Sequence, residues 1–137
     1  MLHLSANQAA RLLGAAHTCF PNECCGLIEG TRNKDGWHVV QLHEMPNIAG
    51  DPSRHFLIDP QPQITLLRQL RGTECTVIGC FHSHPKTRAE PSATDLSSAA
   101  EDNFVWLIAG GWPDDFTFSA YVFSSGTFTK LTIEITE

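Results

Sequence analysis

Phe81-His82-Ser83-His84-Pro85-Lys86-Thr87-Arg88-Ala89-Glu90-Pro91-Ser92-Ala93-Thr94-Asp95 is the stretch on which the fold turns. The run leading into it, Cys75-Thr76-Val77-Ile78-Gly79-Cys80-Phe81, is apolar and partly β-branched and reads as a buried strand. Alternate side chains of a strand share a face, so His82 and His84 point one way and Ser83 the other. Pro85 ends the strand. Pro91-Ser92-Ala93-Thr94-Asp95 then reads as a helix start, with Ser92 as N-cap and Asp95 in the first turn, beside the positive end of the helix dipole. A helix returning past the strand end brings this carboxylate to the two imidazoles. His82, His84 and Asp95 would leave a fourth tetrahedral position for water, the layout of a catalytic rather than a structural zinc site. Taken singly, a His-x-His pair is ordinary surface or core material, and Ser-x-x-Asp is an ordinary helix cap. Their conjunction at a strand-to-helix crossing, where open α/β sheets bind ligands, favours the metal.

Outward from this stretch the chain alternates helix and strand signals. Ser5-Ala6-Asn7-Gln8 is a capping-box signature, and Ala9, Leu12, Leu13, Ala16 and Phe20 follow at helical spacing until Pro21-Asn22 stops the helix. Cys25 to Gly30 reads as a strand, Thr31 to Gly36 as a polar turn, and Trp37 to Leu42 as the second arm of a hairpin. Met45 to Arg54, with two prolines and a glycine, is a surface loop. His55 to Ile58 is a short strand. Asp59-Pro60 opens a second helix whose buried stripe is Ile64, Leu67 and Leu70, and Gly72 ends it. The third helix spans Ser92 to Ala100. Phe104 to Ala109 is a fully apolar central strand. Phe116–Phe123 and Phe128–Ile135 form a closing hairpin around Ser124-Ser125-Gly126. The sum is an α/β domain over residues 1–137, a mixed sheet of six to eight strands flanked by three helices. The aromatics Phe104, Trp106, Phe116, Phe118, Phe123 and Phe128 are core; a base-stacking platform would want basic neighbours.

Composition narrows the function classes. Nine Lys and Arg stand against fifteen Asp and Glu, a net charge of -6, which argues against nonspecific nucleic-acid or anionic-membrane binding. Met1-Leu2-His3-Leu4-Ser5 has no basic region ahead of an apolar core, and no window approaches a membrane span, so a cytoplasmic protein is expected. Cysteines 19, 24, 25, 75 and 80 form no Cys-x-x-Cys pair and read as buried free thiols in a reducing compartment. A nucleophilic Cys24 or Cys25 would need a His partner, and both histidines of the strongest motif are committed to metal. His17, His38 and His43 read as ordinary surface or strand-edge residues.

Hydrolysis at such a metal also needs a carboxylate outside the ligand set to take a proton from water and return it to the leaving group. Glu23, in Pro21-Asn22-Glu23-Cys24-Cys25-Gly26, stands at an apolar strand entry, where the plain alternative is a solvated loop acid. Glu90 is the other acid near the motif, in the charged loop Lys86 to Glu90.

A Glu before a Cys-Gly strand, then His-Ser-His-Pro, then Pro-Ser-x-x-Asp, resembles the JAMM (MPN-plus) metallopeptidase family, along nearly the whole chain and with the Phe56-to-Pro60 segment in similar order. The resemblance implies a cytidine-deaminase-like JAMM/MPN architecture and Zn2+ bound by His82, His84 and Asp95. It implies Glu23 as acid/base and Ser92 as a hydrogen-bond donor to the oxyanion, in competition with its helix-cap role. It further implies cleavage of an amide or isopeptide bond after the C-terminal glycines of a ubiquitin-like protein. The chain looks most like the short, free-standing prokaryotic branch, whose implied partners are sulfur-carrier proteins and whose product includes a released cysteine or other adduct. Such a tail would dock on a sheet edge. Two other readings stand beside it: a non-catalytic zinc or protein-interaction module, and a zinc peptidase acting on a cell-wall or phage structural peptide. DNA processing is the weakest, because the chain is acidic.

Overall fold

The computed structural model describes residues Met1–Glu137. In chain order it contains β1 (Leu2–Ser5), α1 (Ala6–Cys19), β2 (Cys25–Asn33), β3 (Gly36–Met45), α2 (Pro60–Leu70), β4 (Thr76–Pro85), α3 (Ala93–Ser98), β5 (Phe104–Gly111), β6 (Thr117–Ser124), β7 (Thr127–Leu131) and β8 (Ile133–Thr136). The expected three helices and mixed sheet are present. All eight strands form one sheet in the order β7-β6-β5-β4-β2-β3-β1-β8. β7 and β8 lie at opposite ends of that order, yet only Thr132 separates them. Two successive Cα–Cα steps span at most roughly 7.6 Å, so the sheet must curl until its two ends meet.

The curled sheet has α1 on its concave side. Leu12, Ala15 and Ala16 of α1 join Leu2, Leu4, Ile28, Phe81, Val105 and Leu107 in one core. Ser5 caps α1 as its sequence requires: its hydroxyl accepts from Gln8 N at 3.1 Å, and Gln8 Oε1 accepts from Ser5 N at 2.7 Å. A second core lies on the other face, where Leu66 of α2 packs with Leu27, Cys80, Trp106, Ile108, Tyr121 and Phe123. β4 sits near the middle of the sheet, antiparallel to β2 and parallel to β5. Opposite β2, Ile28 pairs with Gly79 and Glu29 with Val77, which leaves Ile78 as a bulge. The bulge lets Ile78 face the first core while Cys80, His82 and His84 face the second. No helix is long and apolar enough to cross a membrane.

Several local expectations give way. β1 was not anticipated, because four residues running directly into a helix carry too little pattern to register as a strand. The turn between β2 and β3 is tighter than Thr31–Gly36, since pairing continues to Asn33↔Gly36. His55–Ile58 is not a strand: only an isolated bridge, Asn47↔Ile58, orders it. Ile133–Ile135 leaves the closing hairpin and pairs in parallel with β1 instead. α3 is shorter than Ser92–Ala100. The stripe assigned to α2 is also rotated. Ile64 and Leu67 are 43% and 47% exposed, and Leu66 is the buried residue, with Leu70 packed beside it. In an eleven-residue helix the two stripes differ by one residue in phase, and the sheet beneath, not the helix's own period, selects between them.

That phase is testable by equilibrium denaturation. Leu66→Ala is expected to cost about 2–4 kcal/mol, whereas Leu67→Ala should cost under about 1 kcal/mol.

Candidate metal centre and acid

The site forms where β4 ends, at the point where the sheet changes from antiparallel to parallel pairing. His82 and His84 share a face, as the alternation requires, and their Nε2 atoms lie 2.9 Å apart. Parallel pairing of β4 with β5 demands a crossover, and residues 86–103 provide it. The crossover begins by folding over β5 at Gly110. A Cβ there would lie 2.3 Å from Ala89 N and 2.4 Å from the Arg88 carbonyl carbon, so no larger residue fits. Tyr121 Oη donates to Ala89 O at 3.1 Å and pins the same turn. The chain is thereby directed back to the end of β4, where Ser92 and Asp95 start α3.

Asp95 arrives through a reciprocal cap. Its N–H donates to Ser92 Oγ at 3.0 Å, and its Oδ2 accepts from Ser92 N at 2.9 Å. The same Oδ2 stands 3.1 Å from His82 Nε2 and 3.1 Å from His84 Nε2. Two nitrogens and one oxygen thus form a triangle with edges of 2.9–3.1 Å. Ligand bonds of about 2.0–2.1 Å around a tetrahedral zinc place neighbouring donors about 3.3 Å apart, so the triangle is close to a ligand set's natural size.

Ionisation favours the same use. Burial and contact with His84 hold the fully buried His82 below its usual pKa, against the pull of Asp95, and so favour the neutral ring that a metal requires. Burial works to raise the Asp95 carboxyl, but hydrogen bonds from His82 and His84 more than offset it, and the group stays ionised. Burial likewise works against the charged His84, yet Asp95 and Glu23 outweigh it and raise its pKa. His84 Nδ1 donates to Arg88 O at 3.3 Å, so Nε2, which serves Asp95, is the nitrogen that presents a lone pair to the cluster once the ring gives up its proton there. His82 Nδ1 is buried with no hydrogen-bond partner, so only the cluster itself fixes that ring's tautomer. Phe56 stacks on the His82 ring at 4.3 Å between centroids, and Trp106 meets its edge at 5.7 Å. These two aromatics cover His82 from solvent.

Glu23 is not a solvated loop acid. It is 5% exposed, and its carboxylate lies within 4.8 Å of the donor nitrogens of both His82 and His84, so Glu23 with the two imidazoles is also a group that could hold a metal ion. Burial pushes its pKa up to about 7, with His84 pulling down and Asp95 pushing up. Ser83 helps to put it there from the opposite face of β4. Cys24 N donates to Ser83 Oγ at 2.8 Å, and Ser83 N donates to Cys24 O at 3.1 Å. The motif's middle serine therefore fastens the residue after Glu23 to the strand that carries both histidines.

The remaining candidates separate clearly. Glu90 is exposed and lies 3.9 Å from Arg88. Cys24 and Cys25 are buried free thiols whose pKa values burial pushes up to about 12, the reverse of an activated nucleophile. His17 is exposed, His38 stacks on His3 at 4.3 Å, and His43 pairs with Glu29 at 2.9 Å, all away from the cluster. Ser92 is exposed at the mouth of the site. Its oxygen serves the cap as acceptor, which leaves its hydroxyl proton free to donate. Ser83, Phe56 and Trp106 also shape the site, and the strand alternation identifies Ser83 only as pointing away.

A family model described as prokaryotic homologs of the JAB domain matches residues 5–123. The chain belongs to this family. Among curated relatives, a desampylase of Haloferax volcanii is 29% identical over 84% of this chain and 79% of its own. A CysO-cysteine peptidase of Mycobacterium tuberculosis is 24% identical over 100% of this chain and 92% of its own. A protein of Desulfitobacterium hafniense, known from its solution structure, superposes with a TM-score of 0.88 at 30% identity, covering 100% of this chain and 94% of that one. A JAB1/MPN domain protein from Archaeoglobus fulgidus, at 20% identity and full coverage of both chains, shares the fold with a TM-score of 0.68.

A buried acid with a raised pKa leaves a signature in the metal-free protein. The folded state then binds the Glu23 proton more tightly than the unfolded state does. Stability must fall as pH rises from the unfolded value near 4.5 through the folded value of about 7. Urea midpoints of metal-free protein between pH 4 and 8 should show this decline, and Glu23→Gln should remove about 1–3 kcal/mol of it.

Proposed function

We propose that this protein is a zinc-dependent hydrolase that cleaves an amide or isopeptide bond following the C-terminal glycines of a ubiquitin-like or sulfur-carrier protein. The observation that carries the reading is the buried Glu23 carboxylate beside the His82–His84–Asp95 triangle, an acid kept out of solvent next to a ligand set. The relatives' names support the substrate class: a desampylase, a CysO-cysteine peptidase, and a probable TtuB-protein conjugate cleaving protease from Thermus thermophilus.

His82, His84 and Asp95 would hold the ion, and two imidazoles with one carboxylate suit zinc better than calcium or magnesium. When bound, zinc supplies Lewis-acid polarisation of the scissile carbonyl and nucleophilic solvent at neutral pH. Glu23 takes a proton from the attacking water and delivers it to the amide nitrogen as the C–N bond breaks. The products are a free amine and a C-terminal carboxylate, so the proton balance closes. A pKa of about 7 lets one side chain serve as base and then as acid near neutral pH. Ser92, exposed beside Asp95, directs its hydroxyl proton to the developing oxyanion while its lone pair continues to cap α3. Phe56 and Trp106 keep water from His82 and lower the local dielectric. Cys24 and Cys25 take no part.

Incubation of the zinc-loaded protein with a sulfur carrier extended beyond its terminal Gly-Gly, followed by intact-mass measurement, tests the reading. Loss of the extension should occur and should stop with chelator. Glu23→Gln should retain stoichiometric zinc and lose about 100-fold or more in kcat/KM, whereas His82→Ala and Asp95→Asn should lose zinc as well. Hydrolysis that persists unchanged in Glu23→Gln, or that is indifferent to chelator, would sink the mechanism.

A further inference from the structure

Glu23 lies ahead of β2, outside the sheet ladder, so something other than strand pairing must hold it. Both of its main-chain polar groups are bound by the segment between β3 and α2. Glu23 N donates to Pro52 O at 2.7 Å, and Glu23 O accepts from Asn47 Nδ2 at 3.1 Å. Asn47 is the junction of that segment. Its Nδ2 also donates to His55 O at 3.0 Å, and its Oδ1 accepts from Ala49 N at 3.1 Å and Leu57 N at 3.0 Å. Two donors and two acceptor positions are all that a side-chain amide offers, and here all four are used. The segment's other ties are the isolated bridge Asn47↔Ile58, with Ile48 N donating to Leu57 O at 2.9 Å and Asp59 N to Pro46 O at 3.3 Å, a turn at Asp51, and the packing of Phe56 and Ile58 against the second core. The same segment carries Phe56, the ring stacked on His82.

We propose that Asn47 is a positioning residue for the reaction: one amide sets the segment's shape and thereby fixes both the place of Glu23 and the aromatic cover of His82. The inference rests on the hydrolase reading for its effect on rate, and on the hydrogen bonds alone for its effect on structure. Asn47 touches no reacting atom. Its four bonds tie Glu23, which has no strand pairing, to a segment that has a single bridge, and they do so with a group that side chains of other shape cannot replace.

Asn47→Asp separates the two halves of the amide. It keeps an acceptor for Ala49 N and Leu57 N but sets an oxygen against the carbonyls of Glu23 and His55. Amide hydrogen exchange of the metal-free protein should show the Glu23 N–H exchanging about tenfold faster or more, with β2 and β4 amides unchanged. In the zinc-loaded enzyme kcat should fall about 10- to 100-fold with KM and zinc affinity held within about twofold. In a Glu23→Gln background the same change should cost less than about twofold, because no carboxylate remains to be placed. Unchanged protection of the Glu23 amide overturns the proposal. So does a rate loss that multiplies with that of Glu23→Gln, or one that tracks weakened zinc binding. Asn47→Ala, accepted as folded when β2 and β4 protection is intact, repeats the comparison with all four bonds removed. A wild-type protein that cleaves no extended carrier would fail the hydrolase reading, while the exchange result would still decide the structural claim.

Discussion

The contact of Asp95 Oδ2 with the Nε2 atoms of His82 and His84 joins two segments, α3 and the end of β4, that share no backbone pairing. Three polar groups brought this close with so little solvent would be costly if uncompensated, and each is compensated in a different way. Asp95 draws on the backbone N–H of Ser92, His84 on the Arg88 carbonyl, and His82 on the cluster alone. A cation held by these groups would replace the protons they share with ligand bonds. The one buried polar atom left without a partner is His82 Nδ1, on the side of the ring away from the triangle.

The fold serves this contact at several removes. β4 must be central, so that its end is buried from both sides. It must run parallel to β5, so that a crossover is forced, and the crossover must fold over β5 at a glycine to return at once. The bulge at Ile78 sets which face the histidines occupy. On the other flank, Ser83 fastens Cys24 to β4 and Asn47 fastens Glu23 to the segment beneath Phe56. Glu23 is therefore held through its own backbone by that segment and through the next residue by β4, and its carboxylate is not used in holding it.

Most of this was legible where the signal is local. The Ser5 and Ser92 caps, the His82/His84 alternation and the apolar Phe104–Ala109 strand depend on the bonding habits of a few adjacent residues. Segments whose structure depends on distant partners read poorly. The buried face of α2 was missed by one residue because Leu66 and Leu67 are equally apolar and only Cys80, Trp106 and their neighbours choose between them. Ile133–Ile135 looked like the end of a hairpin because nothing in its composition distinguishes pairing with β6 from pairing with β1.

The order and chemical type of the functional groups were determined by the sequence itself: a strand presenting two imidazoles, a capped turn presenting a carboxylate, and an isolated acid ahead of an apolar run. Tertiary structure alone decided that Glu23 is buried rather than solvated, that Asn47 holds its carbonyl and Ser83 the residue after it, and that Phe56 covers His82. The reason is physical. Alternation and capping act over a few residues along the chain, whereas burial, and the shift in proton affinity that burial causes, is set by whichever remote surfaces the folded sheet brings together.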